Sequence, residues 1–316
     1  MDFYQIINDI AKVDPEVYDR FDSRRAAFRN FLGFGKKVSA AAIPLAVSTL
    51  FNKAYGQTAL TQPVVDTLNL ALQLEYLEFY YYDTALKSPG FLNPEQTRAF
   101  EIIRNDEQLH INTLRGPLGA AAITDPTRAG FDYTGSQTGR RTPLFPSLGP
   151  VFTNNAEFLT VAQNFVDTGV RAYKGGAANL ISVKDILEVA LNIHSVEARH
   201  SSRIRLFRRG GIQSTTTAPK SWITPDETPG ARPLPNNGVP GTAPTVSPYS
   251  SGVPTATFPA ENNVTQGAAP GVNVQTLVPS GGSATAGAEA FDEPLDAATV
   301  KAIAKNFAAN PAVLFN

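Results

Sequence analysis

The chain has 316 residues, 42% of them hydrophobic, and carries 27 Lys and Arg against 28 Asp and Glu for a formal net charge of −1. That composition is ample for a globular core and gives no overall field to draw in nucleic acid or an anionic membrane. Cysteine is absent, which excludes disulfides, thiolate nucleophiles, iron–sulfur clusters and cysteine-bound zinc, and only three histidines exist, His110, His194 and His200, so any metal site must rely on carboxylates.

Residues 1–56 begin with a polar segment, pass through Arg24-Arg25 and Lys36-Lys37, and reach a weakly apolar run over residues 39–51 followed by Ala54-Tyr55-Gly56. The run is too short for a stable bilayer anchor. The arginine pair, the apolar run and the small-x-small triplet together resemble a twin-arginine export signal, which implies cleavage before Gln57 and an exported, periplasmic or cell-surface protein. The competing reading is an amphipathic helix that stays attached and packs on the body of the protein or lies on a membrane surface.

Periodicity predicts four long helices in a domain over residues 57–209. The first covers residues 63–87, opening on a proline and stopping before Ser88-Pro89-Gly90. The second starts at Asn93-Pro94 and ends before Gly116-Pro117; the third covers residues 155–180; the fourth covers residues 182–209, with Ser182 as its N-cap and Gly210-Gly211 beyond it. The short links make two helical hairpins. About 40 residues separate the second helix from the third, far more than antiparallel neighbours need, so a long crossover down the side of a four-helix bundle is expected.

Residues 210–316 form a Pro/Gly/Thr-rich irregular extension. Twelve of the chain's 24 prolines lie between Pro219 and Pro279, and Arg232, Glu261 and Glu289 are the only charges from Ala231 to Ala290. Such low charge, combined with Val253, Phe258, Val264, Val272, Val274, Leu277 and Val278, predicts an arm that packs on the bundle or joins subunits, with short edge strands, rather than a solvated linker. A last short helix is expected over residues 296–309, with Leu295, Thr299, Ile303 and Phe307 on one stripe.

The chemistry is carried by polar residues that fall inside apolar stripes. On the first helix Leu68, Leu72, Glu75, Phe79 and Tyr82 share a face; on the second, Phe100, Ile103, Glu107, His110, Ile111 and Leu114; on the fourth, Ala190, Ile193, Glu197, His200 and Ile204. Glu-x-x-His therefore occurs once in each hairpin, with both side chains on one face. Register supports a meeting point: Glu75 and Glu107 each stand 16 residues from Phe91, and Asp167 and Glu197 each stand 15 from Ser182. Four carboxylates and two imidazoles at matching heights make the ligand set of a dinuclear iron or manganese centre. A metal-free core, in which Glu107 and Glu197 pair with protonated His110 and His200, is the alternative.

The runs Leu70-Ala71-Leu72-Gln73-Leu74-Glu75-Tyr76-Leu77-Glu78, Asn105-Asp106-Glu107-Gln108-Leu109-His110, Asp167-Thr168-Gly169-Val170-Arg171-Ala172-Tyr173 and Glu197-Ala198-Arg199-His200 resemble the four helix signatures of bacterial ferritin-like domain proteins, a family that includes the plant desiccation-related proteins. The resemblance implies an all-α ferritin-like bundle and iron or manganese held by Glu75, Glu107, His110, Glu197 and His200. Asp167 stands where the family pattern has glutamate, one methylene short, which retracts its carboxylate by more than about 1 Å. His194 and Glu78 are read as residues outside the ligand set, and Tyr82 and Tyr173 as core aromatics within reach of it. Two functions follow as expectations. One is an exported metal protein with oxidase or peroxide-related activity; the other is a metal-free envelope or surface protein that uses the bundle and the arm for assembly or stress protection.

Overall fold

The computed structural model describes residues 60–225, 227, 233–238, 245–267, 270–278 and 281–316. The export signal or attached helix expected over residues 1–56 lies outside the described residues. Four long helices dominate what is described. Helix α1 (Gln62–Lys87) carries Pro63 in its first turn, where a missing N–H costs nothing, and closes at Ser88 just before Gly90 adopts a φ of +63°. Helix α2 (Pro94–Leu118) opens on a reciprocal cap, in which the Asn93 side chain accepts from the Gln96 N–H and the Gln96 side chain accepts from the Asn93 N–H. It runs past the expected stop, taking Pro117 into its last turn and ending at Gly119, whose φ is +51°.

Helix α3 (Asn155–Gly176) is capped by the Asn154 side chain, and its tail tightens into a 3₁₀ turn over Ala177–Leu180. Helix α4 (Lys184–Arg208) begins later than expected. Val183, not Ser182, is its N-cap residue, and no side-chain hydrogen bond caps it; Asp185 in the first turn faces the positive end of the helix dipole. Helices α1 and α2 pack along each other, as do α3 and α4, and the two hairpins meet through α1 against α3 and α2 against α4.

The segment between α2 and α3 runs the length of α1. Ile123 N–H donates to Asn69, Tyr80 O–H to Asp125, Tyr133 O–H to the Leu77 carbonyl and Phe152 N–H to Ser88 Oγ. This cover helps to bury α1 on more than one face: Tyr76, Leu77 and Tyr81 are buried along with Leu68 and Leu72. Tyr81 sits in an aromatic cluster, with ring centroids 4.9–5.1 Å from Tyr133, Phe152, Phe158 and Phe165.

After α4 the backbone makes two minimal antiparallel ladders, β1 (Leu234–Pro235) with β2 (Thr245–Val246) and β3 (Thr265–Gln266) with β4 (Val272–Asn273). Two short helices follow, α5 (Ala284–Ala288) and α6 (Ala297–Ala304), the latter capped by Asp296. Phe307, just beyond α6, packs against Phe165 of α3 at 4.6 Å, and Phe315 N–H donates to Gln73 of α1. Among the described residues the extension therefore packs on the helices, but not by the expected means. Val253, Val272, Leu277 and Val278, expected to be buried, are 46–68% exposed.

Other apolar residues, Leu234, Leu295, Ile303 and Phe307 among them, are buried, and a polar grip joins them. Arg171 of α3 has no exposed surface and donates to the carbonyls of Pro248, Ser250, Pro259, Glu293 and Pro294, while its Nε lies 2.8 Å from Glu261. Buried carbonyls in an irregular segment need donors that no ladder supplies, and one guanidinium offers five. The approach is close enough that a side chain at Gly175 would collide with the Leu295 carbonyl.

Candidate metal centre

Glu107 and His110 are one turn apart on α2, and Glu197 and His200 one turn apart on α4, so each pair points the same way into the space between the hairpins. Glu75 enters that space from α1. His110 Nδ1 lies 3.1 Å from Glu75 Oε2, 3.0 Å from Glu107 Oε2 and 3.1 Å from Glu197 Oε1. His200 Nδ1 lies 3.2 Å from Glu107 Oε1 and 3.5 Å from Glu197 Oε2. Glu107 and Glu197 thus divide their oxygens between the two histidines. All five residues are buried.

Burial this complete forces the protonation states apart. Glu75 is pushed up to about 8, by burial first and by the charges of Glu197 and Glu107, against the pull of His110. Burial also works to raise Glu197, but His200 and His110 hold it at about 2. Burial opposes charging of both imidazoles, yet the carboxylates around them win: Glu75, Glu107 and Glu197 raise His110, and Glu107, Glu197 and Asp106 raise His200, well above the ordinary histidine value. The cluster retains protons because its carboxylates outnumber its imidazoles.

Whether the residues suit a cation is tested by their unmet bonds. Glu107 Oε1, both oxygens of Glu197 and His200 Nδ1 are buried without a well-formed hydrogen bond, although imidazole and carboxylate atoms stand within ion-pairing distance. Lone pairs turned toward a common centre rather than toward donors fit a metal ion. Glu75, Glu107, His110 and Glu197 each offer a ligand atom, all within 4.8 Å of one another, so this group could hold one. Supporting bonds orient the donors: Tyr173 O–H donates to Glu75, and His200 Nε2 lies 3.1 Å from Asp106 Oδ2, which turns Nδ1 inward. A cleft of about 650 Å³ between α2 and α4, bordered by Asp106, Arg199 and Arg203, reaches the edge of His200.

Residues 64–209 match the family model described as a ferritin-like domain. This stretch is a ferritin-like domain. No curated protein and no solved structure matches the chain.

Of the six expected ligands, five meet in the ferritin-like domain and one does not. Asp167 is buried elsewhere on α3: its Oδ2 pairs with Arg205 and accepts from Tyr249 O–H at 2.7 Å, and its Oδ1 accepts from Ser201 Oγ at 2.6 Å. Both oxygens are committed to neighbours that neutralise them. His194 also stays outside, its Nδ1 at 2.9 Å from the Val170 carbonyl. Glu78, expected outside the ligand set, is buried beside the cluster. It is only 4% exposed, its Oε2 accepts from Tyr82 O–H at 2.7 Å, and burial, followed by the charges of Glu197, Glu107 and Glu75, pushes its carboxyl well above the ordinary range. The signal was available, since Glu78 follows Glu75 at the same three-residue spacing as the Glu-x-x-His pairs. Asp106, adjacent to Glu107, was likewise readable as the partner of a histidine.

Proposed function

We propose that the ferritin-like domain would hold a dinuclear iron or manganese centre through Glu75, Glu107, His110, Glu197 and His200. The reading rests on one observation above all: Glu107 and Glu197 each turn one oxygen to each histidine. Oxygen and imidazole donors without thiolate suit iron and manganese. Bound there, such metals would supply redox chemistry toward oxygen or peroxide. The chain's own part would be to hold the ions, to keep bulk water out through the buried faces of α1 to α4, and to fix the donor orientations through Tyr173 and Asp106.

A second reading has a specific observation in its favour. His110 Nδ1 makes hydrogen-bonding contacts with Glu75 and Glu107, so imidazolium ions alone offset part of the buried charge, as in a metal-free structural core. Elemental analysis of the full chain purified without chelators separates the two. Close to two equivalents of iron or manganese are expected, and Glu107→Ala with Glu197→Ala should remove them while the protein stays helical. Equal metal content in parent and double variant would leave the structural reading standing. The setting proposed for either is outside the cytoplasm, after cleavage before Gln57, and N-terminal sequencing of protein from its native cell tests it; an intact Met1 would overturn cleavage.

A further inference from the structure

We infer that Glu78 of α1 is the terminal carboxylate of the second metal position, beside His200, in place of a carboxylate from α3. The inference rests on the dinuclear reading above and goes beyond it, because it concerns which side chain completes the weaker half of the site.

The two halves differ by one ligand. Around His110 Nδ1 stand three carboxylates, Glu75, Glu107 and Glu197, at 3.0–3.1 Å. Around His200 Nδ1 stand only Glu107 and Glu197, and here Glu107 Oε1, Glu197 Oε2 and His200 Nδ1 are all buried and unbonded. This half offers an imidazole nitrogen and two bridging oxygens, with no terminal carboxylate of its own. The helix expected to supply one, α3, does not. Asp167 is spent on Arg205, Ser201 and Tyr249.

What α3 presents to the cluster is Gly169. A β-carbon at that position would lie 3.4 Å from Glu78 Oε1 and 4.0 Å from Glu197 Cγ. The absent side chain therefore leaves room that the Glu78 carboxylate borders from one side and the Glu197 stem from the other. Tyr82 O–H holds Oε2 of Glu78, so Oε1 is the oxygen turned toward this gap. Helix α1 thus supplies two carboxylates one turn apart, Glu75 for the His110 half and Glu78 for the His200 half, with Gly169 of α3 alongside the second.

The test uses the full-length, metal-free chain titrated anaerobically with Mn(II), read by binding stoichiometry and by electron paramagnetic resonance. The parent should take up two equivalents and give an exchange-coupled signal. Glu78→Gln keeps the volume and an acceptor for Tyr82; it should weaken the second position by at least about 100-fold, leaving one equivalent with an uncoupled signal, while Asp167→Asn should still bind two. If Glu78→Gln does not fold, as judged by circular dichroism, Glu78→Asp retains the charge on a shorter stem and should weaken the second equivalent at least about tenfold with the first unchanged. Two equivalents of unaltered affinity in a folded Glu78 variant, or loss of the second in folded Asp167→Asn, would overturn the inference while leaving the dinuclear reading intact. A parent that binds one equivalent or none would overturn both.

Discussion

Arg171 is expected to be the residue on which the packing of the C-terminal extension depends most, and replacing it with methionine isolates that role. Methionine keeps much of the stem's length and loses the charge and all five donors. Five carbonyls, of Pro248, Ser250, Pro259, Glu293 and Pro294, lose their partner at once, and Glu261, only 2% exposed and pushed up to about 8 by burial even with Arg171 beside it, is left as a buried carboxyl without its cation. Removing one member of a buried pair costs about 3–5 kcal/mol; each neutral bond adds a net of about 0.5–1.5 kcal/mol, but carbonyls of an irregular segment relax toward water, so these terms do not sum. A loss of about 3–5 kcal/mol is therefore expected, a large part of a total of about 5–15 kcal/mol. Urea unfolding measures it. Limited proteolysis should then cut between Ser247 and Asp292 while α1 to α4 stay helical. Arg171→Met with Glu261→Gln should recover part of the loss, because no unpaired charge remains. A cost below about 1 kcal/mol with an unchanged cleavage pattern would refute this account of the extension.

The carboxylate–histidine cluster predicts opposite pH trends for the proposed metal-loaded form and the metal-free protein. Affinity for Mn(II) should fall as pH falls, because the metal must displace protons from histidines whose carboxylate neighbours raise them above the ordinary value of 6.5. In the metal-free protein, Glu75 (about 8 against an ordinary 4.5), His110 and His200 contribute stability that is complete below their unfolded values and lost as pH rises through the folded ones. Glu197, held at about 2, contributes in the other direction: its stabilisation is present above its ordinary value of 4.5 and is lost only as pH falls toward 2. Relative to Glu75→Gln, the metal-free parent should therefore lose stability between about pH 5 and 8, and thermal melts in which the parent holds or gains stability against the variant as pH rises would contradict the assignment. Asp167→Asn leaves buried Arg205 with Glu227 as its remaining carboxylate partner and should cost about 2–3 kcal/mol without altering metal content; unchanged stability together with lost metal would restore Asp167 to the ligand set. Asp167→Glu, which the sequence pattern alone would suggest as a repair of the site, should instead overpack this pocket by about 1–3 kcal/mol.

The local part of the site was legible before any fold was known. A helix places residues three apart on one face whatever surrounds it, so Glu107 with His110 and Glu197 with His200 were paired by their spacing. Equal distances from the first hairpin turn then set Glu75 and Glu107 at a common height, whereas the same count in the second hairpin chose Asp167, which faces Arg205 instead. What spacing could not decide was rotation. Two residues along a helix turn the side-chain direction by about 200°, and the packing of α3 spends that angle on presenting Gly169 to the cluster and Asp167 to Arg205.

The same limit hid Glu78. On a helix with one apolar stripe, a glutamate beside Tyr81 and Tyr82 reads as a surface group, but α1 is enclosed by the crossover on one side and by α3 on another, so that burial on α1 depends on its neighbours as well as on its own periodicity. The extension followed a rule that composition does not carry. Its low charge implied packing, yet the exposed Val272, Leu277 and Val278 show that apolar side chains do not name their own cover. Its carbonyls are buried against a guanidinium from α3, because an irregular backbone placed against a helical core must find donors outside itself, and only the fold decides which donors lie within reach.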